Sequence, residues 1–134
     1  MCMLHSNAIK TYLPNKQRLN VVITGSTKGI GKSLAAKYYQ NGANVIINSR
    51  NTYNVIATYH ELYSNENENL IYGVVADVSN AEDVKFMLNC ITTKMSTIDL
   101  WINNAGTCTY KKQPFIEFDK TDIDTIVSTN MLGV

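Results

Sequence analysis

An α/β fold built on a doubly wound parallel sheet, with strands in the order 3-2-1-4, is what this sequence predicts. Three observations carry the prediction. Short β-branched runs alternate with stretches of helical periodicity, the pattern of βαβ units. The first run stops at a glycine and leads through Gly25, Gly29 and Gly31 directly into a helix. Right-handed crossovers then put the second and third strands on one side of the first and the fourth on the other.

In chain order, residues 1–18 read as an N-terminal extension and 19–134 as a single nucleotide-binding domain. Leu19–Thr24 is rich in β-branched residues and reads as a buried first strand. Ile30–Gln40 follows as a helix with Ile30, Leu34, Ala35 and Tyr38 on its apolar face, ended by Asn41-Gly42. Asn44–Asn48 is the second strand, and Tyr53–Tyr63 a helix whose asparagine and threonines weaken its propensity. After the polar loop Ser64–Asn69, Leu70–Val75 is the third strand. Ala81–Met95 is a helix with Val84, Met87, Leu88 and Ile91 at helical spacing, and Ile98–Ile102 is the fourth strand. Thr121-x-x-Asp124 resembles a capping box and opens a last helix carrying Ile123, Ile126 and Val127. The fourth strand leaves an open apolar edge, which favours association. The last helix is too short to be stable without packing partners.

Composition narrows the function. With 134 residues, 45% hydrophobic and 17% charged, the chain can bury a real core. A formal net charge of +1 predicts no bulk attraction to nucleic acid or anionic membrane, so any anion binding is local. Cys2, Cys90 and Cys108 match neither a disulfide framework nor a metal motif, and His5 and His60 stand alone. Reduced thiols suit the cytoplasm or another intracellular compartment. Met1–Asn7 lacks the apolar run of a secretory signal, while Lys10, Lys16 and Arg18 leave organellar targeting open.

The glycines carry the first chemistry. At a strand-to-helix turn they allow a tight turn, close approach of backbone to a pyrophosphate, and close packing of helix on strand. The free N–H groups and positive dipole end of the helix then face the phosphates. By themselves, glycines there are also ordinary turn residues. The spacing is GxxxGxG, unlike the common dinucleotide fingerprint, and Gly31-Lys32-Ser33 lacks the earlier glycine of a Walker loop. The candidate phosphate loop is Thr24, Gly25, Ser26, Thr27, Lys28, Gly29, Ile30 and Gly31.

The end of the second strand selects the coenzyme. NAD-selective sheets carry an acidic residue there, about twenty residues past the fingerprint, to bond the ribose 2′-hydroxyl. This chain has Asn48-Ser49-Arg50 instead. Ser49 can donate to a 2′-phosphate, Arg50 offers a planar fork of charged donors, and Lys28 supplies a point charge nearby. The expected cofactor is NADP(H).

Four ordered motifs then give a resemblance. Thr24-Gly25-x-x-x-Gly29-x-Gly31, Asp77-Val78, Asn103-Asn104-Ala105-Gly106 and Asn130 resemble those of short-chain dehydrogenases/reductases, from Val21 to the last residue. The resemblance implies a Rossmann-like fold and assigns roles. Asp77 would meet the adenine amino group and Val78 pack on the ring. Asn103, Asn104, Ala105 and Gly106 would line the pocket beside the ribose. Asn130 would hold a water of the proton relay, the one catalytic position matched. Family members complete hydride transfer with a serine, a tyrosine and a lysine downstream of that asparagine, and their positions fall past Val134. The resemblance therefore covers the cofactor-binding part alone. Tyr53, Tyr59 and Tyr63 sit on the wrong side to replace the tyrosine, and Tyr110-Lys111-Lys112 lacks the i,i+4 helical geometry. Within the family, Trp101–Thr107, Val22–Gly29 and Ile126–Asn130 look like chlorophyll b reductases, which reduce a formyl group on a chlorin ring with NADPH. The implied partners are NADP(H), a small carbonyl substrate, and further copies of the chain in a homo-oligomer. The implied function is NADP(H)-dependent reduction of a carbonyl to an alcohol; the alternative is a non-catalytic NADP(H)-binding module.

Overall fold

The computed structural model describes residues 18–65, 68–108 and 114–133. The extension up to residue 17 and Tyr110-Lys111-Lys112 lie outside the described residues. Four parallel strands, β1 (Asn20–Ile23), β2 (Asn44–Ser49), β3 (Ile71–Val75) and β4 (Leu100–Ile102), form one sheet in the order β3-β2-β1-β4. Helices α1 (Gly29–Gln40), α2 (Thr52–Leu62) and α3 (Ala81–Lys94) make the crossovers. A 3₁₀ turn (Phe115–Glu117) precedes α4 (Lys120–Val127), which runs on into a π-helical turn (Ser128–Leu132). The predicted strand order holds, and element ends move by one or two residues.

Alternation along the strands splits the core in two. Val21, Ile23, Val45, Ile47 and Ile71 face Ala35 and Tyr39 of α1, with Tyr59 and Leu62 of α2 packed behind. Val22, Ile46 and Val74 point the other way, onto Met87, Ile91 and Met95 at α3. β1 is buried along its whole length because it is covered on both faces and paired on both edges. A run of apolar β-branched residues without alternation is what such a strand requires.

Polar side chains fix the register at the other end of the sheet. Asn20 N–H donates to Asp99 Oδ2 at 2.8 Å, Asn44 Nδ2 donates to Asn20 Oδ1 at 2.8 Å, and Leu70 N–H donates to Asn44 Oδ1 at 2.8 Å. Capture of Asp99 by Asn20 explains why β4 begins at Leu100, two residues later than expected.

Three expectations are corrected. Ile30 is 75% exposed and does not belong to the apolar face of α1; it lines the cleft at the start of the helix instead. The buried positions of α1 are Gly31, Ala35 and Tyr39. Leu88 is exposed, whereas Met87 and Ile91 one turn apart carry the contact of α3. α4 is capped by Asp119, whose side chain accepts from Asp122 N–H at 2.8 Å, and not through a Thr121–Asp124 box. Asp124 instead pairs with Lys120 one turn back, at 2.7 Å.

Candidate functional site

The strand ends and the first turn of α1 enclose a cleft of about 580 Å³. It brings together the three regions separated in sequence: the glycine loop, the end of β2 and the stretch after β4. Gly25, Thr27, Lys28, Gly29, Ile30 and Gly31 form one wall. Ser49, Arg50, Asp77 and Val78 form the second, and Asn104, Ala105 and Gly106 the third.

Each glycine has its own reason. Gly25 has φ 61°, and a Cβ there would lie 2.7 Å from Ala105 Cα, so loop and β4 extension touch through backbone. At Gly31 a Cβ would meet Asn104 Nδ2 at 2.3 Å and Gly25 O at 2.8 Å. Gly29 has φ 54° but its Cβ would meet nothing within 4 Å, so that position opens onto the cleft. The GxxxGxG spacing is thus two close contacts flanking one open wall.

The helix end facing the cleft lacks the capping the others have. α2, α3 and α4 are capped by the side chains of Asn51, Asn80 and Asp119. α1 has no side-chain cap and no acidic residue in its first turn. Its first N–H groups therefore seek an outside acceptor, and an anion is the natural one. No carboxylate pairs with Lys28 among the described residues, and Lys32 is engaged with Glu61.

Three polar residues, Thr24, Asn48 and Asn104, hold the floor. Thr24 Oγ1 accepts from Asn104 N–H and Ala105 N–H, both at 3.0 Å, and Asn104 Nδ2 donates to Thr24 O at 2.9 Å and Gly25 O at 3.1 Å. These bonds tie β1 to β4. Asn48, 1% exposed, donates from Nδ2 to Val74 O and Ala76 O and accepts from Gly25 N–H at 3.2 Å. It ties the glycine loop to β3. Sequence reasoning passed over Asn48 except as a missing carboxylate; an amide at a position flanked by buried strand residues was the available signal.

Not every predicted residue lines the cleft. Ser26 is fully buried; its Oγ donates to Ile23 O at 2.7 Å and accepts from Asn48 N–H at 2.9 Å. Asn103 turns to the opposite face, where its Oδ1 accepts from Trp101 Nε1 at 2.7 Å. It lines a separate pocket of about 270 Å³ with Trp101, Met87 and Gly133. Asn130, in the π-helical turn, accepts from Thr107 N–H and donates to Thr107 O, each at 2.8 Å, and so clips that turn to the segment after β4. Thr107 and Thr129 also reach the cleft wall and were not predicted.

The charged rim is Arg50 and Asp77. Arg50 Nη1 lies 3.6 Å from Asp77 Oδ2. Asp77 also accepts from Ser79 Oγ at 2.6 Å and Ser79 N–H at 2.9 Å. The Ser79 hydroxyl, aided by its N–H and by Arg50, holds the Asp77 carboxyl below the usual range against an opposing effect of burial.

A family model described as short chain dehydrogenase matches residues 19–134. The chain belongs to this family. Chlorophyll(ide) b reductase NOL, chloroplastic, of Oryza sativa subsp. japonica is 40% identical over 115 residues, 86% of this chain and 34% of that protein. Among solved structures, the 3-ketoacyl-(acyl-carrier-protein) reductase of Brucella melitensis in complex with NADH superposes with TM-score 0.77 at 26% identity, over 89% of this chain and 46% of that one. A variant of ElxO with NADPH bound gives TM-score 0.75 at 34% identity, over 87% and 46%. The chain thus spans about a third of that reductase and under half of these two solved chains. Family members bind nicotinamide cofactors, and these two hold NADH and NADPH respectively. The same fold thus holds either coenzyme. No helix among the described residues is long and apolar enough to cross a membrane.

Proposed function

We propose that this chain is the NADP(H)-binding part of an oxidoreductase that reduces a carbonyl to an alcohol. The observation that carries the reading is the rim of the cleft. Arg50 stands just past the end of β2, where an NAD-selective sheet places a carboxylate, Lys28 lines the same cleft from the glycine loop, and neither Asn48 nor Ser49 can repel a phosphate. The uncapped first turn of α1, with Gly29 open beside it, fits a pyrophosphate. Ser49 and Arg50 would hold the 2′-phosphate, Lys28 would add a second positive charge, and Asp77 and Val78 would flank the adenine. Asn104, Ala105 and Gly106 would line the ribose on the nicotinamide side. When bound, the reduced nicotinamide supplies a hydride.

Similarity to chlorophyll(ide) b reductase extends the proposal to the substrate class, an aldehyde on a chlorin ring. Asn130 enters as the residue that fixes the segment after β4 beside the reacting end, through its two bonds to Thr107. A second reading, a binding module without turnover, is favoured by one observation: among the described residues, no tyrosine lines the cleft. Without such a group the described residues supply no counterpart of the family's proton donor.

Titration of the chain with NADPH and with NADH tests the coenzyme reading. Tighter binding of NADPH is expected, with the preference lost in Arg50→Gln. Equal affinity for the two would remove the role given to Arg50 and Lys28. Oxidation of NADPH at the expense of an aromatic aldehyde would decide against the module; binding without oxidation would decide for it.

A further inference from the structure

We propose that Ser79 is a positioning residue for coenzyme selectivity, acting through Asp77 to fix the guanidinium of Arg50 at the mouth of the cleft. The inference deepens the NADP(H) reading and rests on it.

The chain of contacts is short and directional. Ser79 gives both its hydroxyl and its backbone N–H to one oxygen of Asp77, Oδ1, at 2.6 and 2.9 Å. That leaves Oδ2 as the oxygen turned to Arg50, whose Nη1 lies 3.6 Å away. The backbone of Asp77 is held separately. Its N–H donates to Asp83 Oδ2 at 2.9 Å, and its carbonyl accepts from Asn80 N–H at 3.0 Å. Asp77 is therefore braced in both backbone and side chain, while Arg50 hangs on it by one end.

An end-on contact has a specific consequence. A guanidinium carries five N–H donors in a planar fork, and a single long contact to Nη1 uses little of it. Beyond this ion pair no side-chain hydrogen bond engages Arg50 among the described residues, and its side chain is 60% exposed. The remaining edge of the fork is left to an anion approaching from the cleft. An exposed ion pair of this kind adds little to stability. Its value is orientation, because a long arginine held before binding loses less rotamer freedom on binding. A dinucleotide that lacks the 2′-phosphate gives Arg50 no anion to meet and would feel the brace only through the adenine that Asp77 flanks, a smaller effect common to both dinucleotides.

The test measures affinity for NADPH and NADH in the unaltered chain, Ser79→Ala, Ser79→Thr, Arg50→Gln and the Ser79→Ala/Arg50→Gln pair. Ser79→Ala keeps the Asp77 charge and loosens its position. It is expected to weaken NADPH binding about three- to tenfold, the share of arginine rotamer freedom removed in advance by a fixed partner. NADH affinity should stay within about twofold. Ser79→Thr should restore NADPH binding, and Ser79→Ala should cost nothing further once Arg50 is glutamine. Four results would overturn the inference while leaving the coenzyme reading intact: no effect of Ser79→Ala, equal loss for both dinucleotides, no rescue by Ser79→Thr, or persistence of the NADPH loss in the Arg50→Gln background. If the unaltered chain binds NADH as tightly as NADPH, the coenzyme reading fails first and the inference with it.

Discussion

Replacing Gly31 and Gly29 by alanine, one at a time, separates packing from conformation in the glycine loop. At Gly31 the new methyl would lie 2.3 Å from Asn104 Nδ2, 2.8 Å from Gly25 O and 3.0 Å from Asn104 Cγ. Asn104 cannot yield cheaply, because the same Nδ2 holds Thr24 O and Gly25 O. Loss of those two bonds costs about 2 kcal/mol and overpacking about 2 more. Alanine returns about 1 kcal/mol through its better helix propensity. The net is a destabilisation of about 3 kcal/mol. At Gly29 nothing lies within 4 Å, so only the φ of 54° counts against alanine. That strain costs about 1–2 kcal/mol and is partly offset by about 0.4–1 kcal/mol from the stiffer unfolded chain.

Urea unfolding reads the difference. The midpoint of Gly31→Ala should fall by about 1–2 M, and that of Gly29→Ala by less than half as much. Nucleotide binding should rank the other way at equal folded fraction, since a methyl at Gly29 adds bulk to the open cleft wall, whereas one at Gly31 is turned onto Asn104 and Gly25. Adding Asn104→Ala to Gly31→Ala should cost less than the two separate effects combined, because the clashing amide is gone. Equal midpoints for the two glycine variants, or strict additivity with Asn104→Ala, would refute the packing account of the second and third glycines.

Two further outcomes are expected. Asn48→Ala removes the two bonds to Val74 O and Ala76 O and the acceptor for Gly25 N–H from a buried site; a loss of about 3 kcal/mol is expected in urea unfolding, and a loss under 1 kcal/mol would show that the tie is dispensable. The second is a pH effect at Asp77, whose native pKa is lowered chiefly by the Ser79 hydroxyl. A depressed native pKa contributes stability that is complete above the usual carboxylate range and is lost as pH falls through the native value. The stability gap between the unaltered chain and Ser79→Ala should therefore be present at neutral pH and shrink in strong acid, and a gap independent of pH would contradict it.

How much of this was legible depended on whether a signal was periodic or local. Strand order followed from the alternation of apolar runs and helices, and the core positions of β1 and β2 from their unbroken β-branched runs. Facing was harder. Asn103 and Asn104 are identical neighbours, yet one joins Trp101 on the α3 face and the other reaches Thr24 and Gly25 beside α1. Period-two parity carried past Ile102 separates them, since Trp101 packs with the α3 cluster and Ile102 with the α1 cluster. Ser26 misled because a hydroxyl in a phosphate loop reads as a donor to ligand, while here it satisfies Ile23 O and Asn48 N–H. Thr121 misled because two capping signals overlap, and Asp119 lies three residues before Asp122 at the helix entrance. Such choices are made by competing hydrogen bonds, which residue type alone does not rank.

The division between floor and rim bears on how the site can change. The floor is Thr24, Asn48 and Asn104, buried or half-buried polar groups that stitch four strand ends and the glycine loop together. Each of them holds several partners, so substitution there leaves donors or acceptors unpaired and is paid for in stability. The cations of the rim are Lys28 and Arg50, both exposed, and among the described residues a single long ion pair, from Arg50 to Asp77, joins them to the fold. Substitutions of exposed residues usually shift stability by less than about 0.5 kcal/mol. Coenzyme preference can therefore drift by changes at the rim while the floor keeps its geometry. On this reasoning, solved relatives of the same fold can hold NADH in one case and NADPH in another without rebuilding the sheet.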